Sequence, residues 1–168
     1  MNPERARIES IFDSLERGDV QALERARAEI DGFPHGVDPI LETRWISHAV
    51  DCGTRAAVVW MLGQGVETDF RDEGMTVLHR CLQRDTERHE VLAVLLAAGA
   101  NLDLHGVNDW TALHMAVAWG DIEPVRMLLE AGADRTIRTR IDEFATPEEE
   151  ARTLGQQAAA ELIAGWPG

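Results

Sequence analysis

Residues 111–134 read TALHMAVAWGDIEPVRMLLEAGAD, and this stretch decides the fold. Its first half places Leu113, Ala116 and Val117 at the i, i+3, i+4 spacing of one buried helical stripe. The spacing therefore predicts a short amphipathic helix at the start of the stretch.

The second half of the stretch predicts a turn and another helix. Gly120-Asp121 interrupts the first helix with a residue that is suited to left-handed dihedral angles. A second apolar run, Val125–Leu129, then ends at Gly132, which is a helix-stop signal. One unit is therefore helix, turn, helix and loop, and it is too small to form a core unless neighbouring units stack on it.

The same pattern recurs along the chain at a nearly constant spacing. TVLH at 76–79 returns as TALH at 111–114, 35 residues later, and Thr146-Pro147 follows after another 35. A second marker keeps step with the first. It consists of glycines spaced by 34 and 33 residues, namely Gly65, Gly99 and Gly132.

This pattern, Thr-x-Leu-His-x-Ala, Gly-Asp and Val-x-x-Leu-Leu-x-x-Gly-Ala-Asp, resembles the ankyrin repeat. Residues 111–134 carry nearly all of it, and 76–101 carry it with two extra residues near Asp85–Arg88. Residues 44–67 keep the frame but lack its Thr and His. The resemblance covers roughly 44–163 and is weak over 1–43.

The resemblance implies an all-α, ankyrin-repeat solenoid of helix–turn–helix units with projecting β-hairpin-like loops. We expect a single domain over residues 1–168. Its units would be a degenerate N-terminal capping unit (1–43), three further units (44–75, 76–110 and 111–145) and a C-terminal capping unit (146–168).

In ankyrin repeats the Thr and His of the TxLH motif hold the turn that leads into the first helix. The resemblance therefore gives structural roles to Thr76 with His79 and to Thr111 with His114. A buried imidazole also needs hydrogen-bond partners, which favours this interpretation over a proton-carrying or ligand-binding role.

The resemblance also implies a concave binding face formed by the loops and first helices. The candidate partner-binding residues at these positions are Phe70, Arg71, Met75, Arg84, His105, Trp110, Trp119, Arg138, Arg140 and Phe144. Trp110 and Trp119 are the candidate anchors, because tryptophan is enriched at binding hot spots. The alternative is that each indole packs against its neighbouring unit. Trp45 and Trp60 stand at frame positions that favour a structural role.

Residues 135–140, RTIRTR, form a small basic segment on an acidic chain. Their guanidinium groups could bind carboxylates of a partner, since the arginine fork pairs with them bidentately. They could also pair internally with Asp142 and Glu143, and we favour the internal pairing.

The net charge is −14, from 30 acidic residues and 16 basic residues. Such a surface repels nucleic-acid phosphate and anionic lipid, so we expect neither nucleic acid nor membrane as partner. It attracts basic proteins. No apolar run approaches the roughly 18 residues of a membrane helix, and the first twenty residues lack a signal sequence, so we expect a cytoplasmic protein. Every cation is Arg and none is Lys, a usage that indicates a GC-rich, bacterial source.

The sequence contains none of the common catalytic signatures, such as a phosphate-binding glycine loop, a nucleophile elbow or HExxH. His105, Asp109 and His114 are close enough in sequence to consider a metal site. We expect none, because His114 is assigned to the turn and a loop tip orients ligands poorly. No enzyme activity and no cofactor are expected.

The sequence thus predicts a non-catalytic protein-binding module that is a monomer on its own. One alternative is an acidic inhibitor or immunity-type protein that masks a basic toxin or nuclease. Another is a structural protein that associates with itself through weakly capped ends.

Overall fold

The computed structural model describes residues 3–141 and 144–167. Within them, ten α-helices follow one another in five pairs, and turns of two to five residues join the members of each pair. The helices are α1 (Pro3–Arg17), α2 (Val20–Glu29), α3 (Trp45–Asp51), α4 (Arg55–Gly63), α5 (Val77–Leu82), α6 (Arg88–Ala97), α7 (Ala112–Trp119), α8 (Ile122–Glu130), α9 (Pro147–Thr153) and α10 (Gln157–Ala164). A short 3₁₀ turn, Val107–Asp109, precedes α7.

The helix pairs stack in chain order and form two layers. The first helices of the pairs, α1, α3, α5, α7 and α9, each contact the next in one layer, and the second helices do so in the other. This arrangement confirms the predicted all-α solenoid. One helix pair falls within each of the five predicted units, whose boundaries stay a prediction.

Two of the loops between pairs resemble short hairpins. Val37 pairs with Arg44 and Asp72 pairs with Met75, each through an isolated antiparallel bridge. The described residues form no longer strand, so the loops project from the helices without building a sheet.

A single apolar core runs the length of the stack, from Ile8 on α1 to Ile163 on α10. Each fully buried Leu or Ile contributes roughly 1.5–3 kcal/mol relative to exposure. Since one helix pair has too little apolar surface to stand alone, this shared core is what stabilises every unit.

Side-chain caps fix where several of the helices begin. Thr54, Thr76 and Thr146 each accept a hydrogen bond from a backbone N–H in the first turn of the helix that follows. Asp19 and Asp121 cap α2 and α8 in the same way. Threonine and aspartate are favoured at this position because their side-chain oxygens satisfy N–H groups that have no partner inside the helix.

The turn between α5 and α6 contains the two extra residues noted in the sequence, and it is built around Arg84. The Arg84 side chain is buried, with 6% of the residue exposed. Its guanidinium donates to the backbone carbonyl of Val50, to that of Gly53 at 2.7 Å and to that of Thr86 at 3.0 Å. The prediction of Arg84 as a partner-binding residue is therefore wrong, because its side chain ties this turn to the end of α3.

No helix in the described part of the chain combines the length and the apolar character that crossing a membrane requires.

Candidate protein-binding surface

The TxLH motif of α5 links its own turn to the end of the loop that leads into the next unit. The hydroxyl of Thr76 lies 2.6 Å from His79 Nδ1, and the His79 backbone N–H also donates to that hydroxyl. His79 Nε2 donates a hydrogen bond to the carbonyl oxygen of Trp110 at 3.0 Å. Since burial lowers the pKa of this ring to about 4, the imidazole is neutral at pH 7, and its proton lies on Nε2.

The TxLH motif of α7 repeats this geometry one unit later. Thr111 Oγ1 lies 2.9 Å from His114 Nδ1, and His114 Nε2 donates to the carbonyl of Ala145 at 3.1 Å. Burial lowers the pKa of both imidazoles, and it lowers that of His79 to about 4. These residues hold the loops in place, and their hydrogen-bonding groups are engaged within the fold.

The unit at 44–75 lacks the motif and uses a carboxylate instead. Arg44 and Ser47 stand where the other units have Thr and His. Asp72 Oδ2 accepts hydrogen bonds from Ser47 Oγ at 2.7 Å and from the Arg44 backbone N–H at 3.1 Å. Asp72 lies in the loop that follows α4, so this bond also joins the first helix of one unit to its loop. No sequence motif indicates that Asp72 has this role.

The buried histidines predict a loss of stability at mildly acidic pH. The pKa of His79 is about 4 in the folded protein, against 6.5 for an unperturbed histidine. Protonation of His79 therefore favours the unfolded chain. The contribution of neutral His79 to the free energy of unfolding is complete above pH 6.5 and is lost as the pH falls towards 4. We expect the free energy of unfolding to fall by about 2 kcal/mol between pH 7 and pH 5, and burial of His114 adds to the fall.

Urea denaturation at a series of pH values measures this effect. The variant His79→Gln should be less stable at pH 7 but should show a shallower pH dependence. A free energy of unfolding that stays constant from pH 7 to pH 5 in the wild type would contradict the expectation.

The two candidate tryptophan anchors differ in exposure. Trp119, the last residue of α7, is 54% exposed. Trp110 is half-buried and packs against the core, while its carbonyl accepts the bond from His79. Of the two indoles, Trp119 is therefore the more available to a partner.

Phe144 is also exposed, at 59%. Its φ is +53°, a left-handed conformation that a bulky side chain rarely adopts. Arg138 Nη1 donates to the Phe144 carbonyl at 2.7 Å, and the Thr139 N–H donates to the carbonyl of Ala145 at 3.1 Å. These bonds hold the carbonyl groups of Phe144 and Ala145, while the side chain of Phe144 stays exposed.

Ion pairs inside the protein engage the candidate arginines of this loop. Arg138 binds Glu149 through two bonds of 2.6 and 2.9 Å, and the Arg140 Nε lies 3.0 Å from Asp109 Oδ1. These guanidinium groups lower the pKa of Glu149 and of Asp109 to about 2. The proposed partners Asp142 and Glu143 lie outside the described residues. Arg138 and Arg140 therefore brace the loop, although both stay exposed.

Two aliphatic residues of the last two units are exposed as well. Leu154 directly follows α9, 35 residues after Trp119, and Ile141 lies in the same loop as Phe144. Both are among the large apolar residues that the described chain leaves exposed. We call Trp119, Ile141, Phe144 and Leu154 the C-terminal apolar surface. The repeat spacing could have indicated Leu154, whereas nothing in the sequence distinguished Ile141.

The remaining candidates lie on the two earlier loops. Phe70 is buried beneath the guanidinium of Arg44, whose carbon lies 4.7 Å from the ring centroid, so its prediction as a partner-binding residue is wrong. Met75 is half-buried. Arg71 is exposed and makes no hydrogen bond or ion pair with another described residue.

His105 is half-buried, and its Nδ1 lies 2.7 Å from the carbonyl of Asp109. His105, Asp109 and His114 are close enough in sequence to be considered as ligands of one metal ion. His114 is instead bonded within its turn, and the described residues contain no group of three or more side chains placed to hold a metal ion.

Trp45 and Trp60 are both buried, as their frame positions suggested. The Trp60 indole Nε1 donates to Glu24 at 2.7 Å. The rings of Trp45 and Trp60 both pack against Phe33, with centroid distances of 5.1 and 5.7 Å.

Comparison with known proteins gives two similarities. A sequence model of the family described as "Ankyrin repeats (3 copies)" matches residues 46–139. Over 86 residues the chain is 34% identical to the E3 ubiquitin-protein ligase KEG of Arabidopsis thaliana. That alignment covers 50% of this chain and 5% of the plant protein, so the chain spans a small part of that relative's length.

Proposed function

This chain belongs to the ankyrin-repeat family, a family of non-catalytic protein–protein interaction modules, and we propose that it binds its protein partner through the concave face of its last two units. The binding surface would be the C-terminal apolar surface, and the half-buried Trp110 would contribute to it. A macromolecular partner fits this surface better than a small substrate, since its side chains project from helix ends and a loop.

The observation that carries the proposal is the exposure of Trp119 and Phe144. Large aromatic side chains that lie open to water on a small protein mark contact surfaces, because water-exposed apolar area favours association. Tryptophan is also among the residues that most often carry the binding energy of an interface.

The experiment that tests the proposal is affinity capture from the native organism with three forms of the chain. These are the wild type, a double variant Trp119→Ser/Phe144→Ser, and a control variant Val59→Ser. Val59 is a suitable control because it is exposed and apolar, at 43%, but lies on α4 in the other helix layer. A protein captured by the wild type and the control but lost from the double variant supports the proposal. Equal capture by all three forms would reject it.

A second candidate function is suggested by the charge. A net charge of −14 on 168 residues suits an inhibitor that covers the basic surface of a toxin or nuclease. In this case the acidic surface would steer the partner, while the aromatic residues would hold it.

Salt distinguishes this candidate from a general binding module. The association rate of a charge-steered pair should fall steeply as ionic strength rises, because the Debye length shrinks from about 10 Å at 0.1 M to about 3 Å at 1 M. Stopped-flow or surface-based kinetics with the captured partner measure this rate. An association rate that does not change over that range would exclude the inhibitor candidate.

A further inference from the structure

A cavity of about 360 Å³ opens at the first unit, between α1, the end of α2, the following loop and α3. Its apolar lining includes Ile8, Ile30 and Trp45. This volume is at the low end of the roughly 300–1,000 Å³ of small-molecule sites, so it has room for one side chain or a small group. None of the residues assigned to partner binding from the sequence lines it.

Trp45, which lines this cavity, has a hydrogen-bond donor without an acceptor in the described part of the chain. The residue is 98% buried, and its indole Nε1 has no acceptor among the described residues, whereas the Nε1 of Trp60 donates to Glu24. Among the described side chains, Arg80 Nε is the single fully enclosed nitrogen or oxygen without a partner. The Trp45 N–H therefore reaches accessible surface, and a ligand in the cavity that carries a carbonyl oxygen would satisfy it.

The rim of the cavity is mostly anionic. Glu4, Glu29 and Asp31 contribute three carboxylates and Arg7 contributes one guanidinium. The side chains of Glu29 and Asp31 make no hydrogen bond or ion pair with other residues of the described ranges. Two carboxylates are thus available beside an apolar floor.

We infer that this cavity binds an arginine or lysine side chain presented by a partner protein. The aliphatic stem of that side chain would lie on Ile8 and Ile30, since long basic side chains bury their methylene groups and keep the charged end polar. The charged end would bind Glu29 and Asp31, and a backbone carbonyl of the same segment would accept the Trp45 proton. This combination excludes acidic segments by repulsion and disfavours purely apolar ones, which would remove the carboxylates from water without pairing them.

The test uses two small probes and the intact chain labelled with ¹⁵N. The probes are N-acetyl-arginine methylamide and N-acetyl-citrulline methylamide, which have nearly the same shape and differ in charge. The indole N–H resonance of Trp45, assigned with Trp→Phe variants, reports binding. We expect the arginine probe to shift this resonance saturably and to bind at least about 10-fold more tightly than the citrulline probe, since a charge-assisted pair is worth roughly one decade in affinity.

A matched pair of double variants separates local recognition from the general attraction of an acidic protein. Glu29→Gln/Asp31→Asn should weaken binding of the arginine probe by about 10-fold and leave the citrulline probe unaffected. Glu90→Gln/Glu130→Gln removes the same charge from exposed positions on α6 and α8 and should change neither affinity. Equal weakening by both double variants, equal affinity for both probes, or an unshifted Trp45 resonance would each overturn the inference.

This cavity lies between the first unit and the start of the second, whereas the proposed function concerns the last two units. The two proposals therefore fail independently. The variant Trp119→Ser/Phe144→Ser should bind the arginine probe as the wild type does, even if it no longer captures a protein partner.

Discussion

Replacing Arg84 with Ala is expected to lower the free energy of unfolding by about 4 kcal/mol. The guanidinium is buried and donates to three backbone carbonyls, those of Val50, Gly53 and Thr86. Each hydrogen bond to a charged donor contributes roughly 1.5–3 kcal/mol, and each carbonyl left unpaired in the interior adds a desolvation cost. Part of this loss of stability is offset, because the variant no longer has to bury a charged group.

Urea denaturation followed by circular dichroism measures the effect. The control Arg152→Ala removes an exposed guanidinium that pairs with Glu148 one turn away, so its cost should stay below about 1 kcal/mol. Arg84→Lys should be intermediate, because an ammonium group keeps the charge but cannot reach three carbonyls with a planar fork. The interpretation would fail if Arg84→Ala were no more harmful than the control.

Replacing Trp119 and Phe144 together with Ala is expected to weaken binding of the captured partner by about 4 kcal/mol, or about 1,000-fold. The estimate assigns about 2 kcal/mol to each ring, the usual size of a hot-spot residue. Both side chains are exposed, so their removal should leave the helical signal and the unfolding free energy nearly unchanged.

Isothermal titration calorimetry with the purified partner measures the affinity. Val59→Ala supplies the control, since it removes exposed apolar area from the other helix layer. The aromatic anchors would be wrongly assigned if the double variant bound within about 3-fold of the wild type, which corresponds to less than about 0.7 kcal/mol.

The repeat pattern predicted the fold because helix spacing, turn glycines and the TxLH motif all specify local structure. Thr111 and His114 meet within one turn, three residues apart, and are bonded in that turn. Trp119 was predicted as a contact residue because it stands directly before the helix-ending Gly120, where the fold leaves a side chain open to water.

The predictions for Arg84 and Phe70 were wrong because residues distant in sequence bury their side chains. Arg84 occupies the place in its unit that Trp119 has in the next, but the longer turn after α5 brings its guanidinium to carbonyls 31 and 34 residues away. Phe70 is buried because Arg44, 26 residues earlier, covers its ring. Periodicity assigns equivalent positions to repeats, but it does not show which unit has an insertion or a non-standard partner.

The replacement of Thr and His by Arg44 and Ser47 was visible in the sequence, yet its compensation was not. Asp72 supplies that compensation from the loop, 25 residues beyond Ser47. A loop carboxylate is common on an acidic chain, so no local signal distinguished this one from its neighbours.

The bonds from His79 and His114 to the carbonyls of Trp110 and Ala145 also affect how a partner would bind. Each bond fixes the loop that leads from one unit into the next, so the entropic cost of ordering these loops is met during folding and not during association. The cavity near α1 and the C-terminal apolar surface lie near opposite ends of a stack that shares one apolar core, so the units between them separate the two sites. A partner that spans this separation would bind the second surface at a high effective concentration once it has bound the first.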